Sequence, residues 1–176
     1  PDLVVTAVFQ TSVNWAMQFG AGTSPYWKVY LNNGSGFSTS ATTWATPVGG
    51  FYNSSGVSYG YMDMFGSAPS SNNSQTWGVM DMDGDSKPEL VIPSDYQSAN
   101  GGEKQFGVGG NPYWKVYNNT GTGFSTNNST WNTPVGGYYT SSGVNLGFSR
   151  FSSSNASYAN CQNWNILDIT GDKKPD

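Results

Sequence analysis

The chain has 176 residues, of which only 18 are Lys, Arg, Asp or Glu, while Gly, Ser, Asn and Thr supply 80. So few charges and so many turn residues exclude a helical protein, and 27 aromatic side chains exclude a disordered one, which leaves an all-β fold. A net charge of −4 gives nucleic acid no basic patch to bind, no apolar run approaches the ~20 residues of a membrane span, and the lack of any histidine removes the commonest general base.

Taken in chain order, four segments return 87 residues later. Pro1-Asp2-Leu3-Val4 returns as Pro88-Glu89-Leu90-Val91, and PYWKVYLNNGSGFST at 25–39 returns as PYWKVYNNTGTGFST at 112–126. TPVGG at 46–50 recurs at 133–137, and SSGV at 54–57 recurs at 141–144. The same shift pairs Trp27 with Trp114, Trp44 with Trp131 and Trp77 with Trp164, and about half of the overlapping positions are identical. A constant long period means one supersecondary unit copied in tandem, each copy burying a face against the next.

Within a unit the strand signals are short. Trp77–Asp81, Glu89–Ile92 and Tyr113–Tyr117 alternate or run apolar, and Thr130–Thr133 makes a fourth strand ended by Pro134. In the third, Trp114 and Val116 share the face expected in the core, opposite Tyr113, Lys115 and Tyr117. Four antiparallel strands per unit describe the blade of a β-propeller. Residues 1–76 then read as strands two to four of one unit plus a long excursion, and 77–163 as a complete second unit with its own excursion. Residues 164–176 read as the first strand and loop of a further unit. The excursions at 48–76 and 135–163 are expected to form an extra hairpin or a surface loop. Two units do not close a ring, so the expectation is a larger ring or array, or assembly with copies of the same chain.

The acids gather in one constellation, used twice. Asp81, Asp83, Asp85 and Glu89 stand at positions one, three, five and nine of a loop whose seventh carbonyl belongs to Lys87, with Gly84 at the tight turn. Carboxylates packed this closely repel one another unless a hard divalent cation takes their oxygens, and calcium is the natural occupant. Asp168, Thr170, Asp172, Lys174 and Asp176 repeat the spacing with one charge fewer, and Asp2 matches the ninth position of a third loop. The second loop is expected to bind more weakly.

The Trp-initiated strand, the stretch DMDGDSKPELVI and the stretch YWKVYNNTGTGFS resemble the FG-GAP/VCBS repeats of extracellular calcium-binding β-propellers, over 77–134 and again over 164–176 continued by 1–47. The resemblance implies a four-stranded blade whose first and second strands are joined by the calcium loop. It implies ligands at Asp81, Asp83, Asp85 and Glu89 with the Lys87 carbonyl, in proteins that mostly bind, adhere or scaffold outside the cell. The 87-residue spacing is longer than the family's usual blade.

Sequons occur at Asn33, Asn53, Asn72, Asn118, Asn127, Asn128 and Asn155, mostly in expected turns, where a secreted chain can carry glycans. Tyr52, Tyr59, Tyr61, Tyr138, Tyr139 and Phe148 line the excursions, where exposed rings can stack on sugars. The lone Cys161 has no partner for an internal disulfide, and outside the loops only Asp63, Asp95 and Glu103 remain as acids. Catalysis is therefore not expected. The leading expectation is a non-catalytic extracellular structural or adhesive repeat protein that assembles into oligomers or fibrils; the alternative is a lectin with carbohydrate sites between blades.

Overall fold

The computed structural model describes residues 1–10, 15–53, 56–57, 75–97, 102–140, 143–144, 147–148, 150–153 and 164–176. These residues form strands and turns without a helix, arranged in several antiparallel sheets. The first repeat carries β1 (Leu3–Val5), β2 (Ala7–Gln10), β3 (Trp15–Gln18), β4 (Tyr26–Tyr30), β5 (Thr42–Ala45), β6 (Phe51–Asn53) and β7 (Gly56–Val57). They pair as one sheet in the order β1-β4-β5 and another in the order β2-β3-β6-β7.

The second repeat carries β8 (Gln75–Met80), β9 (Glu89–Gln97), β10 (Gly102–Gln105), β11 (Tyr113–Tyr117), β12 (Ser129–Asn132), β13 (Tyr138–Thr140) and β14 (Gly143–Val144). Here the strands join in one sheet, with β8, β9, β11 and β12 in sequence and the β10-β13-β14 group attached to the far half of β9. A last pair, β15 (Ser152–Ser153) with β16 (Trp164–Asn165), stands apart.

Pro93 lies where one strand in the second repeat takes the place of two in the first. It lies fully buried in β9, has no N–H to give a ladder, and faces the bulge where β8 steps from Thr76 opposite Ser94 to Gly78 opposite Val91. At that point β9 exchanges partners, pairing with β11 through Leu90–Ile92 and with β10 through Ser94–Gln97. In the first repeat Thr6 occupies the same place and separates β1 from β2. The strand expected to stop at Ile92 therefore runs on to Gln97, and β10 is an element the sequence reading did not foresee.

Elsewhere the repeat keeps its register. Trp27 faces Trp44 across β4 and β5 as Trp114 faces Trp131 across β11 and β12, and Leu3 faces Tyr30 as Leu90 faces Tyr117. The excursion after Pro134 contributes the β13-β14 hairpin, in line with the expected extra hairpin.

The two faces of the β9 sheet have different covers. Val91, Trp114 and Val116 pack with Met82 under Phe148, Phe151 and Ile166. Leu90, Ile92, Tyr117 and Phe124 pack instead against Trp27, Val4 and Trp44 of the first repeat. Tyr117, placed by alternation on the face opposite the core, is thus buried as well, because the first repeat's sheet lies over it. The Trp27 ring sits 5.4 Å from Trp77 and meets Phe124 edge-on at 5.5 Å. Backbone bonds seal this junction: the Phe124 N–H donates to the Ala45 carbonyl at 2.8 Å, and the Ala45 N–H donates to the Thr122 carbonyl at 3.2 Å.

Candidate metal centre

The acidic loop occupies the turn between β8 and β9. Asp81 organises it, accepting the N–H of Gly84 at Oδ1 and that of Ser86 at Oδ2, each at 2.8 Å. Such a tight coil takes positive φ at Gly84 (81°) and Ser86 (69°). Glu89, at the start of β9, turns back to accept the Met82 N–H at 2.8 Å and is only 4% exposed. Carboxylate oxygens of Asp81, Asp83 and Glu89 come within 4.8 Å of one another. Burial pushes the Glu89 carboxyl above its usual range; the charges of Asp83 and Asp85 add to this, and the N–H groups of Met82 and Asn119 oppose it.

Asp85 stands outside that trio. Its Oδ1 accepts the Lys87 N–H at 2.8 Å, and its Oδ2 lies 3.3 Å from the Lys87 ammonium. Those contacts, the backbone bond foremost, hold the exposed Asp85 carboxyl below its ordinary value.

The second loop folds the same way, 87 residues on. Asp168 accepts the N–H groups of Gly171 at 2.6 Å and Lys173 at 2.9 Å, Asp172 accepts that of Lys174 at 2.9 Å, and Asp176 accepts those of Ile169 and Thr170 at 2.8 and 2.9 Å. Gly171 and Lys173 take the positive φ values, 77° and 69°. With Thr170 at the third position, this loop has two carboxylates where the first has its trio. The loops are neighbours: a Cβ on Gly84 would lie 3.1 Å from side-chain carbons of Lys174 and 3.6 Å from the Asp172 carbonyl. Asp2 belongs to neither loop and accepts the N–H of Asn32 at 2.8 Å.

Chemically, the first loop brings together the carboxylates of Asp81, Asp83 and Glu89, which could hold a metal ion, and oxygen donors suit a hard cation better than a soft one.

Of the sequons, Asn33, Asn118, Asn127 and Asn128 are exposed, Asn53 ends β6, and Asn72 and Asn155 lie outside the described residues, as do Tyr59, Tyr61, Asp63 and Cys161. Phe148 is half-buried and its carbonyl accepts the Trp114 indole N–H at 2.7 Å, so it serves packing.

Three repeated or paired devices were not singled out in the sequence. Gln18 and Gln105 are both buried, and their amides donate to Thr46 and Thr133 at 2.6 and 2.5 Å, fixing each TPVGG turn. Their recurrence at the repeat period was the available signal. Glu103 is buried and holds Arg150 through two bonds of 2.8 and 3.0 Å. Phe19 stacks on Tyr26 with Lys28 over its ring at 4.4 Å, and Phe106, Tyr113 and Lys115 repeat the arrangement at 4.1 Å. Compared with known proteins, the chain matches no family model, no curated protein and no solved structure.

Proposed function

We propose that this chain is a non-catalytic, extracellular, calcium-stabilised repeat protein of propeller type, serving a structural or adhesive role beside neighbouring repeats or copies of itself. In this reading β8, β9, β11 and β12 are one blade, and β1, β4 and β5 are strands two to four of another. The observation that carries it is the trio Asp81, Asp83 and Glu89, within 4.8 Å of one another with Glu89 almost fully buried. Clustered carboxylates are costly without a counter-ion, and calcium bound there supplies the compensating charge. Asp81, Asp83 and Glu89 would hold it, with Asp85 and the Lys87 carbonyl as further donors. Asp168, Thr170, Asp172, Asp176 and the Lys174 carbonyl would form the weaker second site.

The test is thermal. Binding to the folded state alone stabilises by about 2.7 kcal/mol at a hundredfold excess over Kd. We expect EDTA to lower the melting temperature by several degrees and Asp81→Ala to remove most of the calcium response. A melt indifferent to chelator would end the calcium reading.

A carbohydrate-binding role is the second reading, favoured by the half-buried Phe19–Tyr26 and Phe106–Tyr113 stacks, whose rings and lysines form matched platforms. Glycan-array binding that is lost on Tyr26→Ala and Tyr113→Ala would favour it over the structural role.

A further inference from the structure

The turn that follows β11 reaches the acidic loop, and it does so with the same bonds in both repeats. Asn119 donates its backbone N–H to the Glu89 carboxylate and its side-chain Nδ2 to the Pro88 carbonyl at 3.1 Å, while its Oδ1 accepts the Gly121 N–H at 2.8 Å. Asn32, 87 residues earlier, donates its N–H to Asp2 at 2.8 Å and its Nδ2 to the Pro1 carbonyl at 3.0 Å, and its Oδ1 accepts the Gly34 N–H at 2.7 Å. A donor toward the proline carbonyl and an acceptor two residues onward are needed together, and a short carboxamide supplies both. The preceding and following residues differ between the copies, Leu31 and Asn33 against Asn118 and Thr120, while the asparagine is kept.

Glu89 is therefore held by two segments, the loop through the Met82 N–H and the turn through Asn119. Asp81 is placed by the coil of the loop itself, but Glu89 stands at the start of β9 and takes part of its support from outside the loop. The far side of the same turn meets the first repeat. Asn119 bridges Phe124, the Thr120 N–H and hydroxyl both donate to the Gly123 carbonyl at 2.8 and 2.9 Å, and Gly123 and Phe124 lie against Ala45. Residues 119–124 thus have the carboxylate trio at one end and the junction between the repeats at the other.

We propose that Asn119 is a positioning residue for the cation site, setting Glu89 beside Asp81 and Asp83, and that its turn links filling of the site to the fit between the two repeats. Outer partners of metal ligands typically change affinity by about 10–100-fold when removed. Coupling is reciprocal, so a change at Ala45 that displaces the turn weakens the site to the extent that the filled site steadies the junction. The inference rests on the calcium reading and gives that site a support residue and a connection.

Calcium titration calorimetry on the folded chain tests it, with Asn32→Ala as the control, since Asn32 makes the same side-chain bonds beside a carboxylate that belongs to neither loop. Asn119→Ala is expected to weaken the tighter of the two calcium isotherms about 10–100-fold. Asn32→Ala is expected to leave it unchanged, although both variants lower the melting temperature in EDTA by similar amounts. Asn119→Ser keeps an acceptor for the Gly121 N–H but does not reach Pro88, so it is expected to fall between, and it replaces the alanine variant if that chain does not fold. Gly123→Ala, which drives the turn off Ala45, is expected to weaken the same isotherm on the order of fivefold. Equal affinity in the native and Asn119 variants, or equal losses from Asn119→Ala and Asn32→Ala, overturns the positioning role. A Gly123→Ala chain that binds like the native one overturns the link to the junction. In each of these cases the native isotherm keeps the calcium reading standing, whereas a native chain that takes up no calcium overturns that reading and the role of Asn119 with it.

Discussion

Thr170 stands where Asp83 stands in the first loop, which removes a carboxylate from a loop whose first aspartate accepts the same pair of backbone N–H groups. Calcium affinity follows the number of charged ligands. Thr170→Asp is therefore expected to tighten the second site on the order of tenfold, read as a second binding isotherm moving toward the first by calorimetry. Buried amides act at the same scale through satisfied bonds. The Gln105 side chain donates to Thr133 and accepts the N–H groups of Gly137 and Phe148 at 3.2 and 3.0 Å. Gln105→Ala strands those groups in the interior, at a cost of about 2–3 kcal/mol, which chemical denaturation measures; a loss under 0.5 kcal/mol would contradict it. The clustering of Asp81, Asp83 and Glu89 could be read from spacing alone because a single turn is local in sequence. Gln105 could not, since its partners lie 28 to 43 residues away.

At the scale of elements, Gly123 and Gly36 are the same position in two copies, yet only one is enclosed. The carbonyl, nitrogen and Cβ of Ala45 all lie within 2.7 Å of where a Gly123 Cβ would stand, so Gly123→Ala forces the Thr122–Phe124 turn off β5. Overpacking of this kind costs about 1–3 kcal/mol, whereas Gly36→Ala is expected to be neutral within about 0.5 kcal/mol; equal effects from the two would show that the junction is loose. The strands β8, β11 and β12 were visible as alternating or apolar runs bounded by turn residues. The extension of β9 was not, because proline argues for a strand end unless a bulge lies opposite, and a bulge is a property of the neighbouring strand.

For the whole molecule, the repeat made an all-β, many-sheeted architecture legible, since a constant period forces equivalent strands into equivalent registers. What composition could not reveal is that both faces of the β9 sheet are covered, which depends on how one copy lies against the next. That arrangement also sets the two acidic loops side by side, with Lys174 against Gly84. Gly84→Ala carries a Cβ into this contact on a backbone with φ of 81°. It is expected to lower the calcium-dependent part of the melting temperature while leaving the melt in EDTA less affected; an equal loss in both would place its effect outside the loops.

Lys28 and Lys115, seated over Phe19 and Phe106 in mid-strand, leave little basic side chain on offer to a protease. Arg150 is engaged by Glu103, Lys104 lies between paired strands, and Lys87 and Lys174 each precede a proline, a bond trypsin does not cut. Brief digestion of the native chain should then nick chiefly after Lys173, opening one acidic loop without touching the other.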